Sequence, residues 1–323
     1  MTEYFVYDIP MRTRFRGLTR RQGMVWEGPA GWAEWSPFPE YGIEEAATWL
    51  KAAIEMAEVG FPAPVRDRVP VNATVPALSP EKAFDLVAAS GCSTAKVKVA
   101  EAGQSLSEDI DRVAAVRAAL GAEGKVRIDA NGAWTVDEAM DAVRALAKYD
   151  LEYAEQPCRT VEELASLRLS LARAGLDVRI AADESIRRSG DPERVVELEA
   201  ADIAVLKVQP LGGVRACLDL AERLGLPVVV SSALETSIGL RAGLALAAAL
   251  PTLEFACGLN TASLLSVDLA YPRLDATGGF MGVASLNREA NPSESSAWVA
   301  GPEAASQWQA RLEQCEGVLR RIS

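Results

Sequence analysis

Seven times along this chain a short apolar run ends in a residue able to take part in chemistry, at intervals of 31, 26, 28, 24, 25 and 26 residues. Lys98 closes AKVK, Asp129 closes VRID, Glu155 closes EYAE, Asp183 closes VRIAAD and Lys207 closes IAVLK. Ser232 follows PVVVS and Gly258 follows LEFAC. Each interval has room for one strand, one helix and two short loops. A chain that repeats this unit is expected to wrap parallel strands in helices and to present its polar residues at the strands' C-terminal ends, as a TIM-type (β/α) barrel does. Eight strands are expected, near 71–76, 95–100, 126–130, 151–155, 178–183, 202–208, 227–231 and 253–257. Several are unbroken apolar runs, as parallel strands buried on both faces require.

Helix punctuation falls between them. Ser79-Pro80 and Asp191-Pro192 are cap-plus-proline starts, and Thr135/Glu138 and Thr160/Glu163 have capping-box spacing. Gly91, Gly121, Gly175 and Gly225 stand where helices should stop. Residues 1–70 lie outside the rhythm. Strand-like stretches at Tyr4–Ile9 and Gly31–Glu34 flank a basic segment, Arg12 to Gly28, and a helix is expected from about 43 to 59. This is the pattern of an α+β capping domain. The barrel is expected over 71–290, with an irregular stretch at 260–300. Over 291–323 a tail carries a helix from about 302 to 322, whose Trp308, Leu312, Cys315 and Leu319 form one stripe and whose expected seat is the cap or the barrel.

Composition narrows the chemistry. The chain has no histidine, which excludes histidine acid–base catalysis, His-ligated zinc and a Ser-His-Asp triad. A net charge of −12 argues against nucleic acid or an anionic membrane as partner. The longest apolar run, Leu240 to Leu250, contains Arg241 and is too short to span a bilayer, and the N-terminus lacks signal-peptide character. Five scattered cysteines without a CxxC pair suit reduced thiols in a cytoplasmic protein. Oligomeric state is left open between monomer and homo-oligomer.

Asp129, Glu155 and Asp183 end three successive strands. Three hard oxygen donors without histidine or thiolate suit Mg²⁺, with Mn²⁺ as a substitute. A lone acid at such a position more often caps a helix or pairs with lysine; three in phase favour the metal. Lys98 and Lys207 flank that acidic arc, and Lys96 shares the face of Lys98 because strand side chains alternate. A lysine beside a dication and a second ammonium is expected to serve as a base near neutral pH; otherwise each lysine is an ion-pair partner of Asp129 or Asp183. A small carboxylate is the expected substrate, because a metal-bound carboxylate stabilises the charge left when its α-proton departs. Ser231-Ser232 and Gly258-Leu259 fall at the same rim and either meet the substrate or serve as caps and packing. Gly212-Gly213 is either an anion cradle or a turn, and Arg12–Arg21, with Arg20 as a substrate contact, either a mobile lid or a solvated loop.

With these residues placed, the chain resembles the enolase superfamily, in its muconate-lactonizing subgroup. The likeness is carried by AKVKV (95–99), RIDANGAW (127–134), EYAEQP (152–157), ADES (182–185), LKVQPLGG (206–213) and SSALETSIG (231–239). It implies Lys98 as base, Lys207 as the opposing lysine, Asp129, Glu155 and Asp183 as Mg²⁺ ligands, and Asn131 and Glu184 beside them. The absence of histidine separates the chain from the mandelate racemase and sugar-acid dehydratase branches. FRGLTRRQG (15–23) and WAEWSPFPEY (32–41) look like the branch that dehydrates a succinyl-substituted hydroxycyclohexadiene carboxylate to an aromatic acid in menaquinone biosynthesis. That likeness implies a syn elimination in which Lys98 takes the proton and helps expel the hydroxyl, while Lys207 stays charged. N-succinylamino-acid racemisation is the nearest rival. Dipeptide epimerases would need an acidic pair where Ala256-Cys257-Gly258-Leu259 stands, and muconate cycloisomerase has no signal of its own. A catalytically idle barrel that binds a small acid or a protein would have lost one of the five residues, and all five are present.

Overall fold

In the computed structural model, which describes residues 3–188, 190, 192–287 and 298–322, the chain opens with a three-stranded antiparallel meander. Its strands are β1 (Tyr4–Phe15), β2 (Leu18–Gly28) and β3 (Gly31–Trp35), followed by helix α1 (Ile43–Glu58). The basic segment 12–28, expected as a loop, is therefore the end of one strand and the whole of the next, turned at Arg16-Gly17 with both residues at positive φ. Helix α1 lays Ala46, Trp49, Leu50, Ala53 and Met56 on the meander; its small residues let the backbones approach closely.

The barrel follows. After β4 (Arg68–Pro70), its strands are β5 (Ala73–Val75), β6 (Thr94–Lys98), β7 (Lys125–Asp129), β8 (Leu151–Glu155), β9 (Ile180–Ala182), β10 (Ile203–Leu206) and β11 (Val228–Val230). These seven, β5 to β11, form one parallel sheet in chain order. The expected eighth strand is only a pair of bridges at Cys257 and Gly258, yet it closes the cylinder. Cys257 N–H donates to Pro70 at 2.7 Å and Asn72 N–H to Cys257 at 3.0 Å, while Gly258 N–H donates to Val230 at 2.8 Å. Glycine eases that closure, because a Cβ on Gly258 would lie 2.5 Å from Ser231 Oγ.

Between the strands run α2 (Pro80–Ser90), α3 (Leu106–Leu120), α4 (Val136–Leu146), α5 (Val161–Arg173), the one-turn α6 (Glu184–Arg187) and α7 (Arg194–Glu197), α8 (Val214–Leu224) and α9 (Ser237–Ala249). Both expected capping boxes form, and Ser105 with Glu108 makes a third; each is worth about 1 kcal/mol. Ser79 caps α2 by position, without a side-chain bond, and Asp191 lies outside the described residues.

The stretch after the barrel is less irregular than expected. β12 (Phe280–Gly282) returns to pair with β4, while 288–297 lies outside the described residues. Helix α10 (Pro302–Ile322) packs on the cap: Trp308 meets Trp35 edge to face at 5.3 Å, and Arg311 donates to the carbonyls of Phe38 and Tyr41. No helix among the described residues is long and apolar enough to cross a membrane.

Candidate active site

Parallel register builds the site. Lys98 stands opposite Asp129, and Asp129 opposite Glu155, so one row of strand ends carries all three. Glu155 pairs with Ala181, and Asp183 follows two residues on, on the same face. Counting the 255–258 segment as the eighth stave, β6 and β10 are four positions apart. Lys98 and Lys207 are thus diametrically opposed, and the acids occupy the three staves between β6 and β10 on one side.

Each acid is engaged by a cation. Lys98 Nζ lies 2.5 Å from Asp129 Oδ2 and 2.5 Å from Asn131 Oδ1. Lys96 Nζ lies 2.8 Å from both Glu155 oxygens and 3.5 Å from Asp129. Lys207 Nζ meets Asp183 Oδ2 at 2.6 Å, and Arg187 Nε meets the other oxygen at 2.8 Å. Local backbone holds the ligands in place. Asn131 adopts positive φ, which Asn tolerates, and its N–H donates to Asp129 while its side-chain amide reaches Glu184. Gln156, fully buried after β8, accepts from the backbone N–H groups of Asp183 and Ser185.

Burial would raise the Asp129 carboxyl, but the Lys98 and Lys96 ammoniums outweigh it and bring it down to about 2. Asp183 is likewise buried, yet Arg187 and Lys207 keep it well below the usual carboxylate range. Glu155 goes the other way. Burial, reinforced by repulsion from Asp129 and Asp183 and only partly opposed by Lys96, pushes it up to about 7. Burial disfavours the Lys96 ammonium, but Glu155 and Asp129 raise it overall.

Three mutually repelling carboxylates form a donor set suited to a hard dication, and Glu184 Oε2 beside them is buried without a partner. The donor chemistry fits. The expectation that the three carboxylates converge is met only in part: among the described residues no three acids come close enough to share one ion, because each turns toward its own ammonium or guanidinium.

The rim cavity is lined by Phe15, Arg16, Phe38, Thr74, Lys96, Lys98, Asp129, Asn131, Arg187, Lys207, Ser231 to Leu234, Gly258 and Thr261. It is narrow, about 40 Å³, so a ring-sized substrate requires its walls to part. Larger clefts of about 900 and 700 Å³ lie at the strands' other ends, lined by residues such as Leu169 and Asp202 or Leu218 and Glu222, where no comparable cluster of buried charge gathers.

Ser232 and Gly258 reach the cavity as expected, with Ser232 Oγ 2.7 Å from Thr261 Oγ1. Leu259 does not: it is buried and fits against Gly243 of α9. Arg20 is also absent from the cavity. It lies on the outer face of β2, half exposed and paired with Asp8 at 2.7 Å, because alternation turns Arg21 inward instead. Gly212-Gly213 is no free anion cradle, since the Glu55 carboxylate accepts from Val214 N–H at 2.6 Å and fills that helix terminus. Sequence reasoning missed Arg187 and Phe38, and reached Phe15 and Arg16 only as part of a stretch read as a lid or a loop. Arg187 stands four residues after Asp183, the one signal that pointed to it.

The fold and rim site define an enolase-type barrel. The family model described as Enolase C-terminal domain-like matches residues 80–286, and that described as Enolase N-terminal domain-like matches 6–57. The chain belongs to the enolase superfamily. A solved muconate lactonizing enzyme from Pseudomonas fluorescens, complexed with muconolactone, shares the fold at TM-score 0.73 and 21% identity, with 95% of this chain and 98% of that one covered. Relatives by sequence are named o-succinylbenzoate synthase. That of Thermobifida fusca is 64% identical over 81% of both chains, and that of Mycobacterium tuberculosis H37Rv 50% identical over 98% of this chain and 94% of the relative. Within the superfamily the chain falls in the o-succinylbenzoate synthase family.

Proposed function

We propose that this chain is an o-succinylbenzoate synthase, a lyase that removes water from 2-succinyl-6-hydroxy-2,4-cyclohexadiene-1-carboxylate and leaves the aromatic 2-succinylbenzoate, in menaquinone biosynthesis. The observation that carries this reading is the diametric opposition of Lys98 and Lys207 with three buried acids between them, in a chain 64% identical to a relative of that name.

Asp129, Glu155 and Asp183 would hold Mg²⁺, which when bound supplies positive charge for the substrate carboxylate as its α-carbon loses a proton. Lys98 Nζ, once its ammonium proton has gone to solvent, takes that proton as a neutral amine. The electrons of the broken C–H bond move into the ring as the C–O bond breaks on the same face, and Lys98 returns the proton to the departing hydroxyl, which leaves as water. Lys207, on the opposite face, stays an ammonium and stabilises the developing negative charge without transferring a proton. Arg187 holds Asp183 and Glu184 in place through its two arms. Residues 1–70 act as the cap over this site and 71–290 as the catalytic barrel, and in the tail, 291–323, helix α10 braces the cap, in a cytoplasmic protein.

The test is ultraviolet-monitored turnover of the cyclohexadiene acid by wild type and Lys98→Ala. Turnover should fall about 10³-fold or more while calorimetric Mg²⁺ binding persists. A variant that binds Mg²⁺ and dehydrates at the wild-type rate would rule out Lys98 as the base.

A further inference from the structure

The cavity wall facing the acids is held from behind by the cap. The acids occupy β7, β8 and β9, so the staves across from them are β11, the 255–258 segment and β5. If the ring carboxylate lies at the acids and the ring between the lysines, the succinyl arm has one direction left, toward Ser232, Ala233, Leu234 and Gly258, with Phe38 above. Leu234 is held at φ +63, a conformation costly for a branched side chain unless its surroundings impose it.

Arg21 supplies that restraint. It is 1% exposed, and its guanidinium donates to the carbonyls of Leu234 at 3.0 Å and Ala233 at 3.2 Å, both in the barrel, and to Ser36 Oγ at 2.9 Å and the Ser36 carbonyl in the cap. It also stacks behind Phe38, 4.7 Å from the ring centroid, while Arg16 covers Phe38 at 4.2 Å. Two residues beyond Leu234, Glu34 of β3 completes the hold. Its carboxylate accepts from Thr236 N–H at 3.1 Å, Thr236 Oγ1 at 2.5 Å and Gly239 N–H at 2.9 Å, at the start of α9. Tyr7 and Ser36 donate to the other oxygen. The 233–236 loop and the first turn of α9 are thus pinned by a cation on the loop's carbonyls and an anion on the amides, both from the meander, and neither group lines the cavity.

We propose that Arg21, seconded by Glu34, is a positioning residue that shapes the wall receiving the succinyl arm, and so sets specificity for succinyl-bearing ligands; this rests on the dehydratase reading above. A lysine cannot satisfy four acceptors spread around a planar fork, so Arg21→Lys keeps the charge and loses the geometry.

The test compares calorimetric affinity, with Mg²⁺ present, for o-succinylbenzoate and for benzoate, which lacks the arm. In Arg21→Lys the first should weaken about tenfold and the second change by less than about twofold, with KM raised more than kcat is lowered. Amide exchange should quicken in 231–236 and stay unchanged in β6 to β8. Equal weakening of both ligands, or a lower melting temperature with neither affinity changed, would reduce Arg21 to a structural residue. Should Arg21→Lys fail to fold, Ser36→Ala removes one acceptor of Arg21 and one donor to Glu34, and a shift of about threefold in the same selective sense is expected; no selective shift overturns the proposal. A wild-type chain that neither turns over the diene nor binds o-succinylbenzoate would defeat the dehydratase reading instead. The exchange comparison would then decide alone whether Arg21 pins the loop.

Discussion

Glu235 offers a prediction whose size follows from its surroundings. It lies just before α9, 4% exposed, with Oε2 accepting from Ala233 N–H at 2.6 Å. Burial, and then the neighbouring Glu34 carboxylate, push its carboxyl from the ordinary 4.5 up to about 7. A raised carboxyl binds its proton more tightly in the folded chain than in the unfolded one. Below about 4.5 both states are protonated and nothing is lost; between 4.5 and 7 stability falls as pH rises, and above 7 the full penalty is present. At 1.36 kcal/mol per unit the ionised form costs up to about 3 kcal/mol. Glu235→Gln keeps an acceptor for Ala233 and removes the ionisation. Its thermal midpoint, followed by circular dichroism, should exceed that of wild type by about 2–6 °C at pH 8 and coincide with it at pH 4.5. An offset that is the same at both pH values, or a loss of stability at pH 8, would show that Glu235 is ionised in the fold at little cost.

Asp183→Asn leaves Lys207 and Arg187 buried without their shared counter-charge, and denaturant titration should record a loss of about 3–5 kcal/mol. Gly258→Ala drives a Cβ to 2.5 Å from Ser231 Oγ at the barrel's closing seam. It should cost about 1–3 kcal/mol, and the double variant with Ser231→Ala should regain part of that. Exhaustive chelation should abolish turnover of the diene and added Mg²⁺ restore it, with Mn²⁺ a working substitute; turnover that survives chelation would remove the metal from the proposed reaction.

The catalytic rim was legible because parallel strands impose a strict phase. Once AKVK, VRID and EYAE are recognised as strands, their last residues must share a row, and the register pairs them as expected. What alternation reveals it also conceals when the phase slips by one. Arg12–Arg21 reads as a lid or a solvated loop, yet its second half lies in β2, where Arg21 points in and Arg20 out. LEFAC reads as a full eighth strand, whereas the segment pairs with its neighbours only through two bridges, at Cys257 and Gly258. Arg187 was hidden in DESIRR, where a basic pair after a strand resembles an ordinary solvated helix end. Its guanidinium donates to Tyr41 Oη, 146 residues earlier, a contact with no local signal in the sequence.

The chain's charge of −12 conceals a site of the opposite sign. Lys96, Lys98, Lys207, Arg16 and Arg187 line the cavity, against Asp129 as the one acid in its wall among the described residues. The acids behind them are shared between cations: Asp129 by Lys96 and Lys98, Asp183 by Lys207 and Arg187. Charges buried this deeply are tolerated only in balance, because removing one partner leaves the other uncompensated. On the proposed reading, a dication joining the carboxylates and a dianionic substrate joining the ammoniums arrive with equal and opposite charge, so the balance is kept when both are present and broken by either alone. The two should therefore strengthen each other's binding reciprocally. Field lines focused between low-dielectric walls make that local balance, rather than the net charge of the chain, what an approaching carboxylate meets.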